Sequence, residues 1–574
     1  MRRGIMKNFE IAAALIEIAD LTEIAGEEAF KARAYRRAAD SIVKLPGDIG
    51  EYAAEGRLME IPGVGKNIAA KIEEHLSTGA MRHLDRLRER IPHTVLEMLD
   101  VPGLGPRTAS ILYRELGIRD LNGLEAVLRE GRTRGIRGMG EKKERSLLKG
   151  VEEVRRRGTR TPLGTAWPLS EEIAGILRGV PGVHRVEVAG SIRRRRETVG
   201  DVDLVASSDD PDGLMEAFTS LPMVVDVPAR GDTKSVVKID GLGQVDLRVV
   251  KPGEFVAALH HSTGSKEHHV RLRGMAKDRG LKINEYGVFD EGDSPMRIDS
   301  EEDIYGLLGM EYVPPELRED AGEVEAALES RLPDLVREED ILGDLHMHTR
   351  WSDGTGSVED MARAAKERGY QYIAISDHSK SLGVAGGLNE ERLMAQAREI
   401  EALNEGESGF RILKGIEVEI MKSGCLDLDD EILAGLDIVT ASVHSAFNMG
   451  RDAMTARIEA AMKNEHVDVI AHPTGRLIGR REPYEVDVDR LIETALKTST
   501  YLEINASPDR LDLSDYWARR AMEAGCGLVI NTDAHAAASL DDMRFGVSVA
   551  RRAWGTRKHI INALSLEDLL EKLR

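Results

Sequence analysis

Residues 190–205 read GSIRRRRETVGDVDLV, and this stretch places acidic side chains in a β-rich run. Asp201 and Asp203 are two residues apart, so both side chains project from the same face of one strand. A third carboxylate, Asp246, lies in the apolar run QVDLRVV, where an acidic side chain is costly to bury unless it binds a cation. Carboxylates on adjacent strands suit two Mg²⁺ ions, or Mn²⁺, about 3.5–4 Å apart. The sequence therefore predicts a sheet with a two-metal phosphoryl-transfer site.

The same stretch carries groups that suit a nucleoside triphosphate. Gly190 allows a close approach of the backbone, Ser191 can donate a hydrogen bond, and residues 193–196 are four consecutive arginines. The alternative is a solvated arginine run beside ordinary surface aspartates. We favour the metal and triphosphate site because the third carboxylate lies in an otherwise apolar strand.

Glycine turns repeat in the segment before this sheet. Residues 61–69 read IPGVGKNIA, residues 101–109 read VPGLGPRTA, and a looser copy at 135–143 reads GIRGMGEKK. Each turn opens a helix, and glycine leaves backbone N–H groups unobstructed where a helix start can bind phosphate. One copy alone is equally typical of an ordinary helix–helix turn, but the repetition favours binding of the DNA backbone without base recognition. The predicted DNA-binding residues are Gly63, Gly65, Lys66, Gly103, Gly105, Arg107, Gly138 and Gly140.

The charge distribution supports a nucleic-acid partner for the N-terminal part only. The whole chain of 574 residues has a net charge of −21, yet residues 1–160 hold 30 basic against 25 acidic side chains. No apolar stretch approaches the length of a membrane span, and two cysteines are too few for a disulfide framework. We therefore expect a cytoplasmic, multidomain protein with a basic head and an acidic body.

Histidines and acidic residues recur after β-rich runs in the C-terminal half. The run DLHMHTRWSDG at 344–354 places His346 and His348 two apart on one strand, with Asp353 in the following loop. Runs such as YIAIS and GLVINT alternate with helical segments, which is typical of a parallel α/β barrel with its active site at the strand ends. A lone histidine is more often structural, but a recurring set predicts a cluster of Zn²⁺ or Mn²⁺ ions that hydrolyses a phosphate ester. The predicted ligands are His346, His348, Asp353, His378, Glu417, His444, His472, Asp533 and His535.

Two known families share these motifs. Residues 5–315, with the glycine turns, the carboxylate run and the later HSTGSKEHHVRLRGMAKDRGLKINEYGVF, resemble the prokaryotic DNA polymerase X family. Residues 339–574 resemble the PHP (polymerase and histidinol phosphatase) domain and fill all nine metal positions of its pattern. The resemblance implies a multidomain fold: an α-helical helix-hairpin-helix head, an α+β nucleotidyltransferase palm and thumb, and an α/β PHP domain forming a distorted (β/α)7 barrel.

We expect six segments from these resemblances. They are a DNA-binding and lyase head at 1–90, a fingers-like helical domain at 91–160, a palm at 161–250, a thumb-like domain at 251–318, a linker at 319–338 and the PHP domain at 339–574.

The resemblance also implies roles for individual residues. Asp201, Asp203 and Asp246 match catalytic metal ligands, with Asp246 as the base toward the primer hydroxyl. Lys71 matches the Schiff-base lysine of a 5′-deoxyribose-phosphate lyase, in a region whose positive charge favours a neutral amine. The residues that match contacts around the incoming nucleotide and the templating pair are Gly190, Ser191, Arg194, Gly264, Arg273, Asn284, Glu285 and Tyr286.

Two positions depart from the family pattern. The family usually places an aromatic pair before Thr-Gly-Ser to exclude the ribose 2′-hydroxyl, and this chain has His261 and Ser262 there. Asn67 stands where the family often has a further lysine in the lyase helix. We expect weaker rejection of ribonucleotides than in relatives with the aromatic pair.

The expected substrates are deoxynucleoside triphosphates and DNA, in the form of gapped or nicked duplex, primer 3′ ends and abasic sites. For the PHP domain we expect a 3′-5′ exonuclease, with abasic-site endonuclease and 3′-phosphatase as further activities. Two other functions remain open: a small-molecule phosphatase fused to a DNA-binding head, and a non-catalytic scaffold that binds DNA ends. We expect a monomer with no membrane partner.

Overall fold

The computed structural model describes residues 2–573 except residues 27, 28, 44, 46, 47, 79, 102, 137, 138, 158 and 159. The predicted DNA contact Gly138 lies outside the described residues. Across the described part of the chain, every helix is too short or too polar to cross a bilayer.

The N-terminal head is helical because its apolar residues recur at helical spacing. Ile11, Leu15 and Ile18 are fully buried along one face of the first helix, which packs against the second and seventh helices. The head helices are α1 (Arg2–Ile24), α2 (Ala29–Val43), α3 (Ile49–Ala54), α4 (Lys66–Thr78), α5 (Arg82–Arg90), α6 (His93–Leu96), α7 (Pro106–Leu116), α8 (Leu121–Arg129) and α9 (Glu141–Arg157).

The palm that follows is a five-stranded sheet with the order β2-β4-β7-β6-β5. Its central pair, β4 and β7, is parallel, and the other neighbours are antiparallel. The palm elements are β1 (Thr161–Pro162), α10 (Leu163–Arg178), β2 (Val183–Val188), α11 (Gly190–Arg193), β3 (Thr198–Val199), β4 (Val202–Ser208), α12 (Pro211–Thr219), β5 (Val224–Arg230), β6 (Lys234–Ile239) and β7 (Gly243–Val250).

The thumb combines helices with a small antiparallel sheet of order β10-β9-β8. Its elements are α13 (Phe255–Thr263), α14 (Lys266–Asp278), β8 (Lys282–Asn284), β9 (Gly287–Phe289), β10 (Pro295–Met296) and α15 (Glu301–Leu307). The segment after it contains a connecting helix, α16 (Glu323–Leu328), whose Val324 and Ala327 are buried in the thumb core. The thumb therefore continues into a packed connection.

The C-terminal domain is a parallel barrel of seven strands in sequential order. A parallel bridge between Met347 and Ala534 joins the first strand to the chain just after the last one, which nearly closes the barrel. Its elements are β11 (Gly343–Met347), α17 (Val358–Glu367), β12 (Tyr372–Ile375), α18 (Glu390–Asn404), β13 (Arg411–Glu419), α19 (Asp430–Leu433), β14 (Ile438–Ser442), α20 (Arg451–Met462), β15 (Val469–Ile470), α21 (Val488–Thr498), β16 (Tyr501–Asn505), α22 (Asp515–Glu523), β17 (Leu528–Asn531), α23 (Met543–Arg552) and α24 (Leu566–Lys572). The predicted (β/α)7 fold is confirmed.

The palm and the barrel share one continuous core. Trp167 of α10 meets Phe545 of α23 edge to face, with ring centroids 5.5 Å apart. The guanidinium of Arg195 stacks on the same Trp167 ring, 3.4 Å from its centre. The two halves that carry the predicted sites are therefore packed directly against each other.

Candidate functional site

The parallel pairing of β4 with β7 brings the palm carboxylates together. Asp203 and Asp246 are register partners on the two strands, and Asp201 immediately precedes β4. Burial, followed by repulsion from Asp201 and Asp246, raises the pKa of Asp203 to about 7, although Lys234 and Arg194 oppose the shift. Because the three acids repel one another in a partly buried place, a divalent cation would stabilise their charged forms.

Asp201 and Asp203 border a cleft of about 460 Å³, and Asp246 lies behind them as the register partner of Asp203. Gly190, Ser191 and Arg194 line this cleft together with Asp201 and Asp203. Gly190 has φ +60°, and a Cβ atom there would lie 2.3 Å from Oδ2 of Asp203. Glycine is therefore required both by the backbone conformation and by the position of the acid.

The four arginines of the sequence run separate in the structure. Arg193 pairs with Glu301 of the thumb, and Arg195 stacks on Trp167. Arg194 and Arg196 line the cleft, so only half of the predicted positive charge faces a triphosphate.

An acidic side chain, Glu319, occupies the same cleft. Its Oε1 lies 3.2 Å from Nε of Arg194 and 3.9 Å from Nη1 of Arg196. It also lies 3.0 Å from Nη1 of Arg552, on the last turn of α23. Glu319 thus occupies a position where a phosphate would be attracted, and no sequence motif indicated this position.

The predicted thumb contacts lie at different distances from the cleft. Gly264 is next to it, because a Cβ atom at this glycine would lie 2.9 Å from Nη1 of Arg194. Arg273 and Asn284 do not line the cleft. Burial lowers the pKa of His261, the charge of Glu285 opposes this shift, and the charge of Arg273 adds to it. Asn284 accepts hydrogen bonds from the backbone N–H groups of residues 286 and 287 and shapes a turn.

The three glycine turns have the same backbone hydrogen bond. Ala69 N–H donates to the carbonyl of Gly65, Ala109 N–H to that of Gly105, and Glu144 N–H to that of Gly140. Each glycine directly precedes a helix: α4, α7 or α9. The described part of the loose third copy therefore shares this hydrogen bond at the helix start with the two good copies. Gly63 and Gly103 both have positive φ, and Lys66 and Arg107 lie in the first turns of α4 and α7.

Lys71 projects from α4 near the first glycine turn. Its Nζ is 3.2 Å from the carbonyl of Asn67 and 5.8 Å from the centre of the Tyr35 ring. Burial is the largest influence on the pKa of Lys71, and together with the charge of Arg86 it lowers that pKa against the opposing charge of Glu74. A lowered pKa increases the fraction of neutral, nucleophilic amine.

All nine predicted ligands of the C-terminal half meet at the carboxyl ends of the barrel strands. Eight of them fall into three overlapping groups, within each of which the ligand atoms lie within 4.8 Å of one another, and His472 joins them through its contact with Glu417. Glu417 is central, because its carboxylate lies 2.6 Å from Nδ1 of His378 and 3.1 Å from Nε2 of His472. The three groups are His348, Asp353, His378 and His535; His346, His348 and Asp533; and His378, Glu417 and His444.

The hydrogen bonding of His346 indicates that a cation belongs in this cluster. Its Nδ1 lies 2.7 Å from Oε1 of Glu503, and because a carboxylate only accepts, Nδ1 carries the proton. The opposite nitrogen, Nε2, faces Nε2 of His348 at 3.3 Å and carboxylate oxygens of Glu417 and Asp533, so a bound cation would take the place of a proton there. Converging lone pairs of imidazole and carboxylate are the donors that Zn²⁺ and Mn²⁺ accept.

Electrostatics keep the central acid ionised. Burial acts to raise the pKa of Glu417, but the neighbouring His444, His378 and His346 hold it well below its ordinary range. Burial likewise acts against the charged form of His346, yet Glu503, Asp533 and Glu417 raise its pKa well above the ordinary value. Glu417 and His346 thus stabilise each other's charged forms.

Two buried acids behind the ligands were missed by sequence reasoning. Glu503 holds His346 and also accepts from the backbone N–H of His472 at 2.8 Å. Glu419 accepts from the backbone N–H and Nδ1 of His444. The signal was present, because both are acids in apolar strands, the same argument that identified Asp246. Such partners orient metal-binding histidines.

Comparisons with known proteins agree with both halves. The chain matches a helix-hairpin-helix domain over residues 6–81, a SAM-like helix-hairpin-helix tandem over 95–154, the DNA polymerase beta thumb over 258–319 and the PHP domain over 344–507. The DNA polymerase/3′-5′ exonuclease PolX of Bacillus subtilis is 42% identical over 567 residues, which cover 98% of this chain and 99% of that protein. The chain belongs to the PolX family.

Each half of this PolX chain also has separate relatives. A probable phosphatase of Thermoanaerobacter is 30% identical over 230 residues, 38% of this chain and 89% of that protein. Rat DNA polymerase lambda is 26% identical over 345 residues, 54% of this chain and 56% of that protein. Two functional units with different relatives are thus joined in one PolX polypeptide.

Proposed function

We propose that this PolX chain is a DNA-directed DNA polymerase that fills gaps in base excision repair and trims DNA 3′ ends with its PHP barrel as a 3′-5′ exonuclease. The observation that carries the proposal is the presence of two separate clusters of metal-binding side chains in one packed unit. One contains Asp203 and Asp246 in register, and the other surrounds Glu417.

In the palm, Asp201, Asp203 and Asp246 would hold Mg²⁺, with Mn²⁺ as a substitute. Such ions, when bound, stabilise both the attacking 3′ oxygen and the leaving pyrophosphate. Asp246, whose Oδ2 lies 2.6 Å from Nζ of Lys234, would accept the proton of the primer hydroxyl. Ser191 and Arg194 bind the triphosphate, which requires Glu319 to leave Arg194.

The head binds the DNA around a gap or nick. The helix starts after Gly65, Gly105 and Gly140 present N–H groups to backbone phosphates, so binding does not depend on base sequence. Lys71 forms a Schiff base with the deoxyribose at an abasic site, as a 5′-deoxyribose-phosphate lyase. We further propose that the chain works as a monomer in the cytoplasm of a prokaryote, where genomic DNA and deoxynucleoside triphosphates occur together.

In the barrel, the nine ligands would hold Mn²⁺ or Zn²⁺. Such ions, when bound, lower the pKa of water and stabilise the charge that develops on a phosphate ester. The chain's own contribution is to orient the imidazoles, through Glu503 at His346 and Glu419 at His444.

The polymerase proposal is tested by single-nucleotide incorporation into a duplex with a one-nucleotide gap. Asp203→Asn removes one charge from the carboxylate cluster and is expected to abolish incorporation. Asp209→Asn is the matched control, because Asp209 lies just beyond the end of β4 and its side chain is 73% exposed. Within the described residues its ion-pair partner is His184. Incorporation by Asp203→Asn at the rate of this control would contradict the assignment of the palm site.

A second function, hydrolysis of small phosphomonoesters, is favoured by the likeness to probable phosphatases. The exonuclease proposal predicts loss of nucleotides from a 3′-labelled primer, dependent on His346 and Asp533. The phosphatase alternative predicts release of phosphate from p-nitrophenyl phosphate while the primer stays intact. Testing both substrates with the intact chain and with Asp533→Ala separates the two functions. DNA that contains an abasic site or a 3′-phosphate, run on the same gel, detects cleavage at the abasic site or removal of the phosphate.

A further inference from the structure

Arg510 places a cation beside the barrel metal ligands. It lies between β16 and α22, and its Nε is 3.5 Å from Oδ2 of Asp533. The other oxygen of Asp533, Oδ1, faces the imidazole of His348 at 3.1 Å. Asp533 therefore uses one oxygen toward the ligand cluster and the other toward Arg510.

One end of this guanidinium has no protein acceptor. Nη1 of Arg510 is enclosed, yet it donates no hydrogen bond to any residue that the structure describes. Burial is the main cause that lowers the pKa of His472, and the charge of Arg510 is the next. The guanidinium therefore also lies near a second predicted ligand. A buried cationic donor without an acceptor is costly, and an anion bound beside the cluster would satisfy it.

The backbone around Arg510 is held firmly. Arg476 donates from Nε to the carbonyl of Arg510 at 2.9 Å, and its Nη2 also bonds the carbonyl of Leu511. Nη2 of the same Arg476 reaches Glu197 of the palm at 2.8 Å. A side chain on a braced segment loses little freedom when a ligand binds, which favours a binding role.

We propose that Arg510 binds a non-bridging oxygen of the substrate phosphate in the barrel site through its free Nη1. The guanidinium forms charge-assisted hydrogen bonds with phosphate oxygens and stays charged at any working pH. The proposal deepens the proposed function, because it rests on a phosphate ester as the substrate of the barrel. The competing assignment is a purely structural pairing of Arg510 with Asp533.

The test measures binding of inorganic phosphate by calorimetry to the full-length chain loaded with Mn²⁺, together with the metal content. Arg510→Gln is expected to weaken phosphate binding roughly tenfold to hundredfold, with unchanged Mn²⁺ content. Arg510→Lys keeps the charge but lacks the planar guanidinium, and its affinity for phosphate is expected to lie between those of the intact chain and Arg510→Gln. This second variant also provides a test if Arg510→Gln fails to fold. Phosphate bound in the palm cleft contributes equally to all these chains.

Arg480→Gln is the matched control, because Arg480 is a nearby arginine that is 70% exposed and pairs with Asp509. Unchanged phosphate binding in Arg510→Gln, or loss of Mn²⁺ equal to that in Asp533→Ala, would overturn the proposal. A primer assay run in parallel separates this question from the proposed function. If the intact chain degrades no primer but phosphate binding depends on Arg510, the exonuclease proposal fails while the phosphate site stands.

Discussion

Glu197 of the palm and Arg476 of the barrel form an ion pair 2.8 Å long. Glu197 closes the arginine run that begins at the nucleotide cleft, and Arg476 supports the segment that carries Arg510. A direct chain of contacts therefore links the edge of one predicted active site to the other. The two halves are neighbours in a shared core, and changes in the palm should reach the barrel.

Gly164 in the palm provides a test of this contact. A Cβ atom at Gly164 would lie 2.3 Å from Cβ of Pro508, two residues before Arg510, and proline cannot rotate away. We expect Gly164→Ala to lower exonuclease activity roughly tenfold to hundredfold, because small displacements of binding groups are costly, while nucleotide incorporation stays near normal. Both rates are measured on the same gapped substrate.

The control lies on the same helix. Gly175 of α10 has nothing within 4 Å of its Cβ position, so Gly175→Ala should leave both activities unchanged. Equal exonuclease rates in the two alanine variants would show that the junction does not position the barrel site.

Glu503 is expected to control metal affinity. Glu503→Gln removes the charge that orients His346, and we expect Mn²⁺ affinity to fall roughly tenfold to hundredfold. The measurement is competition for Mn²⁺ against a chelator, which does not depend on catalysis. Glu493→Gln on the exposed face of α21 should bind Mn²⁺ as the intact chain does. Equal affinity in both variants would contradict the role of Glu503.

The lowered pKa of Lys71 predicts the pH dependence of Schiff-base formation. The neutral amine is the nucleophile, so the rate of borohydride trapping on abasic DNA should rise with pH and level off below the ordinary lysine value of 10.5. Burial is the main cause, and Arg86 adds to it, so Arg86→Gln should raise the pKa and slow trapping at neutral pH. Trapping that is equally efficient in Lys71→Ala would remove the lyase assignment.

Ser262 is expected to weaken the discrimination between deoxyribonucleotides and ribonucleotides. It lines the nucleotide cleft at a position where relatives have an aromatic ring. We expect Ser262→Phe to raise the preference for deoxynucleotides roughly tenfold to hundredfold, measured as the ratio of kcat/KM values. Ser294→Phe, on the exposed turn between β9 and β10, serves as the control. The hypothesis fails if the intact chain already rejects ribonucleotides as well as Ser262→Phe does.

The sequence allowed the strand-end ligands to be predicted because their signal is local. His346 and His348 alternate along one strand, and each further ligand follows directly after an apolar run. Asp203 and Asp246 could each be placed in a short β-rich run, but their register across β4 and β7 is given by the structure. The helix start after the third glycine turn could be predicted because its hydrogen bond joins residues four apart.

Other features depend on contacts between distant segments and could not be predicted from the sequence. Glu503 meets His346 across 157 positions, and Glu197 meets Arg476 across 279. The arginine run looked uniform, but Arg193 pairs with Glu301 of the thumb and Arg195 stacks on Trp167 of the palm, away from the cleft. The direction of side chains within one strand follows from the alternation of residues along it. The pairings named above require knowledge of which elements pack together.

The most direct test of two separate active sites uses one duplex with a one-nucleotide gap and a labelled primer, with and without deoxynucleotides. The intact chain is compared with Asp201→Ala and His346→Ala in Mg²⁺ and in Mn²⁺. We expect Asp201→Ala to lose extension but still trim the primer, and His346→Ala to extend the primer but no longer trim it. If neither variant differs from the intact chain, both metal clusters have been assigned wrongly and the chain acts on DNA ends by other residues.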